Sequence, residues 1–295
     1  MSLTFWFESV FPLGKKPARL ARKSLVSFVA ATALGAGAIA LSGCSSDDQM
    51  AAQYVERPIE QIYADAWKLI DRQDWLNAGR QFDEVERQHP YSVWARRAIL
   101  MSAFCYYEGN RYQDAIDAAS RFIQLHPGNK DVPYAYYLKA ISLYEQIADV
   151  NHDQGKTEDA LTALQDLVQR YPDTEYARDA RLKMDLARDH LAGREMTIGR
   201  FYLRNGDYIA AINRFRTVVD KYQTTTHAPE ALERLTEAYL ALGIVKEAQT
   251  SAAVLGFNYP GTDWYMDAYN LLTNQNLAPE EDKQSWISKA YHAVF

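Results

Sequence analysis

The 295-residue sequence predicts an all-α fold: a solenoid of five helix-turn-helix units, with one long helix between the third and the fourth. Three observations lead there. A small residue recurs twelve positions ahead of a chain-breaking position, usually a proline. Apolar residues fall between these two marks at helical spacing. A turn signal and a further amphipathic stretch precede each mark, so the helices come in pairs.

The first 43 residues stand apart from this pattern. Lys15, Lys16, Arg19, Arg22 and Lys23 form a basic stretch, an uncharged apolar run follows from Leu25 to about Leu41, and the segment ends in Leu41-Ser42-Gly43-Cys44. The run is shorter than the roughly 20 apolar residues that a bilayer needs and is rich in Ala and Gly, so residues 1–43 read as a cleavable export signal rather than an uncleaved anchor. Phe5, Trp6 and Phe7 precede an unusually long basic region, and one reading places the true start further in, near residue 18. Leu41–Cys44 resembles the lipobox of bacterial lipoproteins. That resemblance implies acylation of Cys44 and a mature chain beginning there; Ser45, in place of Asp, implies the periplasmic face of the outer membrane. Residues 44–58 are polar, end in Arg57-Pro58, and read as a tether.

The repeat begins at Ala78, which leads to His89-Pro90; Ala115 leads to His126-Pro127, Ala160 to Tyr171-Pro172, and Ala248 to Tyr259-Pro260. A copy from Ala211 to Tyr222-Gln223 lacks the proline. Positions 4 and 7 after the Ala carry Phe82 and Val85, Ala119 and Phe122, Leu164 and Leu167, Phe215 and Val218, and Ala252 and Leu255. Positions 0, 4 and 7 share one helical face, where a small Ala lets a neighbouring helix approach; proline, without an N–H, stops the helix. Turn signals at 72–75, 108–111, 205–207 and 242–243 precede these helices. After the proline comes Pro-x-Ser/Thr-x-aromatic, which puts Ser92, Thr174 and Thr262 where they cap the next helix.

This punctuation resembles the tetratricopeptide repeat over residues 59 to about 272, against the alternative of an ordinary helical bundle. Successive key Ala residues are 37, 45, 51 and 37 apart, where the ideal period is about 34. A polar loop at 149–156 enlarges the third unit. Residues 175–204 contain no Pro and read as one long helix, weakened at Gly193 and Gly199. The expected organisation is an N-terminal three-repeat half at 59–173, the long helix and a two-repeat half at 174–272, and a C-terminal extension at 273–295 with a short helix after Pro279.

The net charge is −6, and removing 1–43 takes away five basic side chains and one acidic, leaving a more acidic chain. Such a chain is poorly suited to nucleic acid, whose binding depends on neutralising phosphates, and to broad adhesion to anionic lipid. With Cys44 lipidated, Cys105 has no partner for a disulfide and reads as a small core residue. The six His residues show no zinc spacing, and there is no phosphate loop or nucleophile elbow. No catalytic residue, metal site or cofactor is expected. Most of the 20 Tyr residues read as inter-helix packing, with a minority free to hold an extended peptide.

Ile62-Tyr63-Ala64-Asp65-Ala66, Asp74-Trp75, Pro90-Tyr91-Ser92, Ala115-Ile116-Asp117, Arg121-Phe122-Ile123 and Tyr171–Tyr176, in this order behind a lipobox, are similar to the BamD family. The resemblance implies a lipoprotein of the outer-membrane β-barrel assembly complex. Its N-terminal repeats would receive the C-terminal signal of unfolded outer-membrane β-barrel proteins. Its C-terminal repeats would hold the periplasmic domain of BamA, beside other lipoproteins of the complex. It implies substrate contact at His89, Tyr91 and Ser92, and BamA contact at Arg188, Asp189 and His190 toward the end of the long helix. For Tyr91 and Ser92 the competing readings are core packing and helix capping. The competing function is a lipid-anchored repeat scaffold for cell-division or peptidoglycan machinery. A solenoid enzyme such as a lytic transglycosylase would need a catalytic domain for which no residues remain.

Overall fold

Two backbone devices, repeated along the chain, generate the architecture. The first is a tight turn within each helix pair. Gln73, Asn110, Gly206 and Gly243 each lie five residues ahead of a key Ala and adopt φ of 59°, 57°, 79° and 72°. The following N–H groups of Asp74, Arg111, Asp207 and Ile244 reach back to the carbonyls of Leu69, Tyr106, Tyr202 and Tyr239 at 2.8–2.9 Å. This left-handed closure satisfies carbonyls that the ending helix leaves orphaned. The second device ends each pair. His89, His126, Tyr171, Tyr222 and Tyr259 all take φ between −131° and −135°. A following proline drives its predecessor out of the α region. Tyr222 does the same before Gln223, so this ending does not depend on the proline.

The structure, a computed structural model, describes residues 56–149 and 154–294. The export signal, Cys44, the tether up to residue 55 and the middle of the polar loop lie outside the described residues. The helices are α1 (Ile59–Asp71), α2 (Trp75–Gln88), α3 (Val93–Glu108), α4 (Tyr112–Leu125), α5 (Val132–Tyr144), α6 (Gly155–Arg170), α7 (Glu175–Arg204), α8 (Tyr208–Lys221), α9 (Ala228–Ala241), α10 (Val245–Asn258), α11 (Asp263–Thr273) and α12 (Trp286–His292). No strand occurs among the described residues. Successive helices pack against one another, giving five pairs, α1–α2 to α9–α10. The fold is the expected all-helical tetratricopeptide-type solenoid.

The face read from the sequence is the buried one. Ala78, Ala115, Ala160, Ala211 and Ala248 are each 0 % exposed, and every residue four and seven positions beyond them is buried. Helices α3, α5 and α9 are buried over most of their surface, whereas α2, α4, α6 and α8 bury one stripe. The first helix of these pairs is therefore packed from several sides and the second faces solvent.

The long helix α7 joins the two halves through different partners along its length. Near its start, Tyr137 Oη on α5 donates to Asp179 Oδ2 at 2.8 Å, and the Tyr176 ring lies 5.5 Å from Tyr134 and 5.2 Å from Tyr137. Further on, Arg214 of α8 pairs with Glu195 at 3.2 Å, and Arg200 pairs with Glu230 of α9 at 3.1 Å. At Gly199 the Phe215 ring of α8 lies directly over the α7 backbone. A Cβ there would lie 2.4 Å from Phe215 Cε1, so only glycine admits the ring. Ala192, Met196, Phe215, Leu235 and Leu255 belong to one core that runs from the second half of α7 to the chain end.

After α10 the pattern starts again without finishing. Thr262 caps α11, and α11 ends in the same turn, with Asn276 at φ 58° and Leu277 N–H on Leu272 O at 3.0 Å. In place of a second helix, residues 278–285 run along α10. Asp282 N–H donates to Thr250 Oγ1 (3.1 Å) and Ser285 Oγ to Glu247 Oε2 (2.6 Å). Helix α12 then seats Ile287 and Tyr291, both nearly fully buried. Arg216 lies 4.5 Å from the centre of the Trp286 ring.

Candidate peptide-binding surface

The turn between α2 and α3 presents Tyr91. Its rigidity comes from both sides. His89 Nε2 is 2.8 Å from the Arg57 carbonyl, and Arg57 N–H donates to Gln88 Oε1 at 2.8 Å, which fastens the first described residues to the end of α2. On the other side Ser92 is the N-cap of α3: its hydroxyl accepts the Ala95 N–H at 3.0 Å, and its N–H donates to the His89 carbonyl at 3.1 Å. Between these anchors Tyr91 is 102 % exposed. It has no packing role, which removes one of the two competing readings for this triplet. The other stands for Ser92, whose oxygen is engaged in the cap.

The exposed apolar surface continues past the cap. Val93 is 64 % and Trp94 39 % exposed. The Trp94 ring is braced by Tyr63, at 4.8 Å and edge-on, and Tyr63 by Phe82 at 5.2 Å. Arg96 and Arg97 follow, both exposed. Sequence reading missed these four residues. The signal was a contrast between equivalent turns: Glu175 and Asp263 follow the caps Thr174 and Thr262, whereas apolar Val93 follows Ser92. Acid in the first turn complements the helix dipole, and α3 forgoes it.

The other nominated triplet, Arg188-Asp189-His190, lies at the middle of α7 and not toward its end, because the helix continues without a break to Arg204. The three side chains differ in employment. Arg188 pairs with Asp185 at 3.2 Å. Asp189 accepts from Thr226 N–H (3.0 Å) and Oγ1 (2.7 Å), with His227 at 3.7 Å, so it ties α7 to the segment before α9. The His190 Nδ1 atom is buried without a hydrogen-bond partner.

The tyrosine-rich clusters are mostly packing. Tyr134 is enclosed, and Tyr106 lies over Gly79 and donates to Asp83 at 2.5 Å. Burial and the Asp83 carboxylate push the Tyr106 phenol up from its ordinary value, and burial does the same to the Cys105 thiol. On α9 burial raises Glu233 to about 7, with Arg234 at 3.2 Å opposing the shift. No group of His, Cys, Asp and Glu among the described residues has the arrangement of a metal site, and no described helix is long and apolar enough to cross a membrane.

Residues 55–255 match the YfiO family, described as outer membrane lipoprotein. The chain is 54 % identical over 243 residues to the outer membrane protein assembly factor BamD of Caulobacter vibrioides, covering 82 % of this chain and 80 % of that one. It is 44 % identical over 236 residues to the factor of the same name from Rickettsia prowazekii, covering 80 % and 93 %. Among solved structures, a thermophilic TPR protein of Thermus thermophilus aligns with 73 % of this chain and 100 % of its own at 17 % identity, with a TM-score of 0.33.

Proposed function

The chain belongs to the YfiO, or BamD, family of outer-membrane protein assembly factors, and on that premise we propose that it works as a non-enzymatic scaffold with two separate docking faces. The N-terminal repeats receive the C-terminal segment of unfolded outer-membrane β-barrel proteins at the turn carrying His89, Tyr91 and Ser92. The C-terminal repeats dock to the periplasmic domain of BamA, with Arg188, Asp189 and His190 on that side. Acylation of Cys44 holds the protein to the periplasmic face of the outer membrane.

The observation that carries this reading is the fully exposed Tyr91 on a turn braced from both sides. A large ring kept in water on a rigid support loses little conformational freedom when it is covered by a partner. An unfolded substrate supplies extended, aromatic-rich segments that such a surface holds without imposing a fold. Binding must remain weak, since the strand passes on to the barrel. The extended ion-pair contacts along α7 suit a rigid support for a second partner, which is the role proposed for BamA.

Replacing Tyr91 by Ala should weaken cross-linking to a porin C-terminal peptide while BamA still co-purifies. Equal loss of both would mean damage to the fold and would overturn the assignment of Tyr91. Failure of BamA to co-purify in mild detergent would remove the second docking face. Porin levels that hold on depletion while cells fail to divide would favour the division scaffold. Labelled palmitate should enter the wild-type protein and not Cys44→Ala.

A further inference from the structure

The surface beside Tyr91 carries two positive charges that the fold does not use. Many arginines are matched within the molecule, as Arg121 is by Asp83 and Glu86 at 3.2 and 3.0 Å and Arg200 by Glu230 at 3.1 Å. Others, such as Arg72, Arg178 and Arg204, make no ion pair among the described residues. What sets Arg96 and Arg97 apart is their place beside exposed rings at a helix start. Arg96 and Arg97 have no ion-pair partner among the described residues, in a chain whose net charge is −6. They lie three and four residues beyond Val93 and so share its helical face. Alanines 95 and 98, on the other face, are buried.

Their position is electrostatically costly. The first turn of a helix already presents the positive end of its dipole, and α3 has no acid there to offset it. The charge of Arg96 reaches the neighbouring turn: His126 is held below its ordinary value, first by burial and then by Arg96. Unmatched cations, a helix start and exposed rings thus converge on one small area. A carboxylate with an apolar side chain close beside it is complementary to all three. Guanidinium groups bind carboxylates through paired, charge-assisted hydrogen bonds.

We infer that Arg96 and Arg97 receive the free α-carboxylate at the end of the bound polypeptide, while Tyr91, Val93 and Trp94 hold its last apolar side chains. This rests on the proposal that the N-terminal repeats take a C-terminal segment, and it adds what is read there: that the chain has ended. A terminal carboxylate is the one acid whose own residue supplies the adjacent ring or aliphatic chain. An acidic side chain within a strand points to the face opposite its immediate neighbours.

The test uses fluorescence anisotropy with the purified protein and a labelled ten-residue peptide of alternating aromatic and polar residues ending in Phe. The peptide is made with a free carboxylate and with a terminal amide. Wild type should bind the acid about tenfold more tightly than the amide, and the margin should shrink as salt rises. The Arg96→Gln/Arg97→Gln protein should bind both forms at the amide's affinity, with an unchanged melting temperature. Equal binding of acid and amide by wild type would overturn the inference while leaving the docking proposal in place. So would an acid preference that survives the double substitution. If neither form binds, the docking of a C-terminal segment on these repeats fails, and this inference with it.

Discussion

Gly199→Ala sets two physical effects against each other. Glycine within a helix costs up to about 1 kcal/mol relative to alanine, so propensity alone forecasts a more stable protein. The structure forecasts the reverse. The added Cβ would sit 2.4 Å from Phe215 Cε1 and 2.9 Å from its Cδ1 and Cζ, whereas carbon atoms rest at about 3.5–4.0 Å. The ring would have to retreat by roughly 1 Å. Phe215 is 0 % exposed, so it has no solvent to move into. Overpacking of this kind costs about 1–3 kcal/mol. The cost exceeds the propensity gain by up to about 2 kcal/mol, so destabilisation is expected, by as much as roughly 4–8 °C in melting temperature for a fold of this size. Urea titration and thermal melting followed by circular dichroism measure it. Phe215→Leu should cost less in the Gly199→Ala background than in wild type, with a coupling of about 1 kcal/mol across the double-mutant cycle. A Gly199→Ala protein as stable as wild type, with additive effects at the two sites, would refute the claim that this glycine exists to admit the ring.

Ser92→Ala should lower stability by about 1 kcal/mol through loss of the α3 cap, whereas Ser92→Asp should restore it; peptide binding that falls in the Asp variant despite normal melting would separate a contact role from the cap. Glu233 makes stability depend on pH. Its folded value is raised to about 7, so its contribution is fully present below the ordinary carboxyl range and is lost as pH rises toward 7. Glu233→Gln should flatten the stability profile across that window, measured by urea titration at several pH values; an unchanged slope would assign the dependence to other groups.

The helix pairs were legible because their signals are local. An Ala, two apolar residues and a terminator within one helix report a buried face whatever lies opposite, and all five such faces are buried. The long helix was legible for the same reason, as thirty residues without proline. Its glycines were read only as weaknesses, because the ring that explains Gly199 is sixteen residues away on another helix. Tyr222 shows the limit in the other direction: the copy from Ala211 lacks the proline that marks the others, yet its helix ends in the same backbone conformation. Tyr91 was found through resemblance. Arg96 and Arg97 were not, since an unmatched charge is defined by what fails to approach it in three dimensions. The seat of the C-terminal extension was equally hidden, because Trp286 Nε1 donates to Tyr239 Oη across 47 residues of sequence.

The unfinished sixth unit bears on how such a protein can grow. A stack of like units has no inherent length: each new pair finds the face of the previous one waiting, and so does the first pair of another molecule. Helix α11 begins a further pair in the repeat's own idiom, but residues 278–285 then turn back along α10, and Tyr291 comes to rest beside Tyr259, 6.4 Å between ring centres. The residues that would have built a second helix cover α10 and α8 instead, while Met266 and Tyr269 on α11 stay open to solvent. The last complete pair is thus buried from within the chain, and α11 is left half-partnered, the one repeat-type helix among the described residues whose outer face has no second helix of its own unit to lean on.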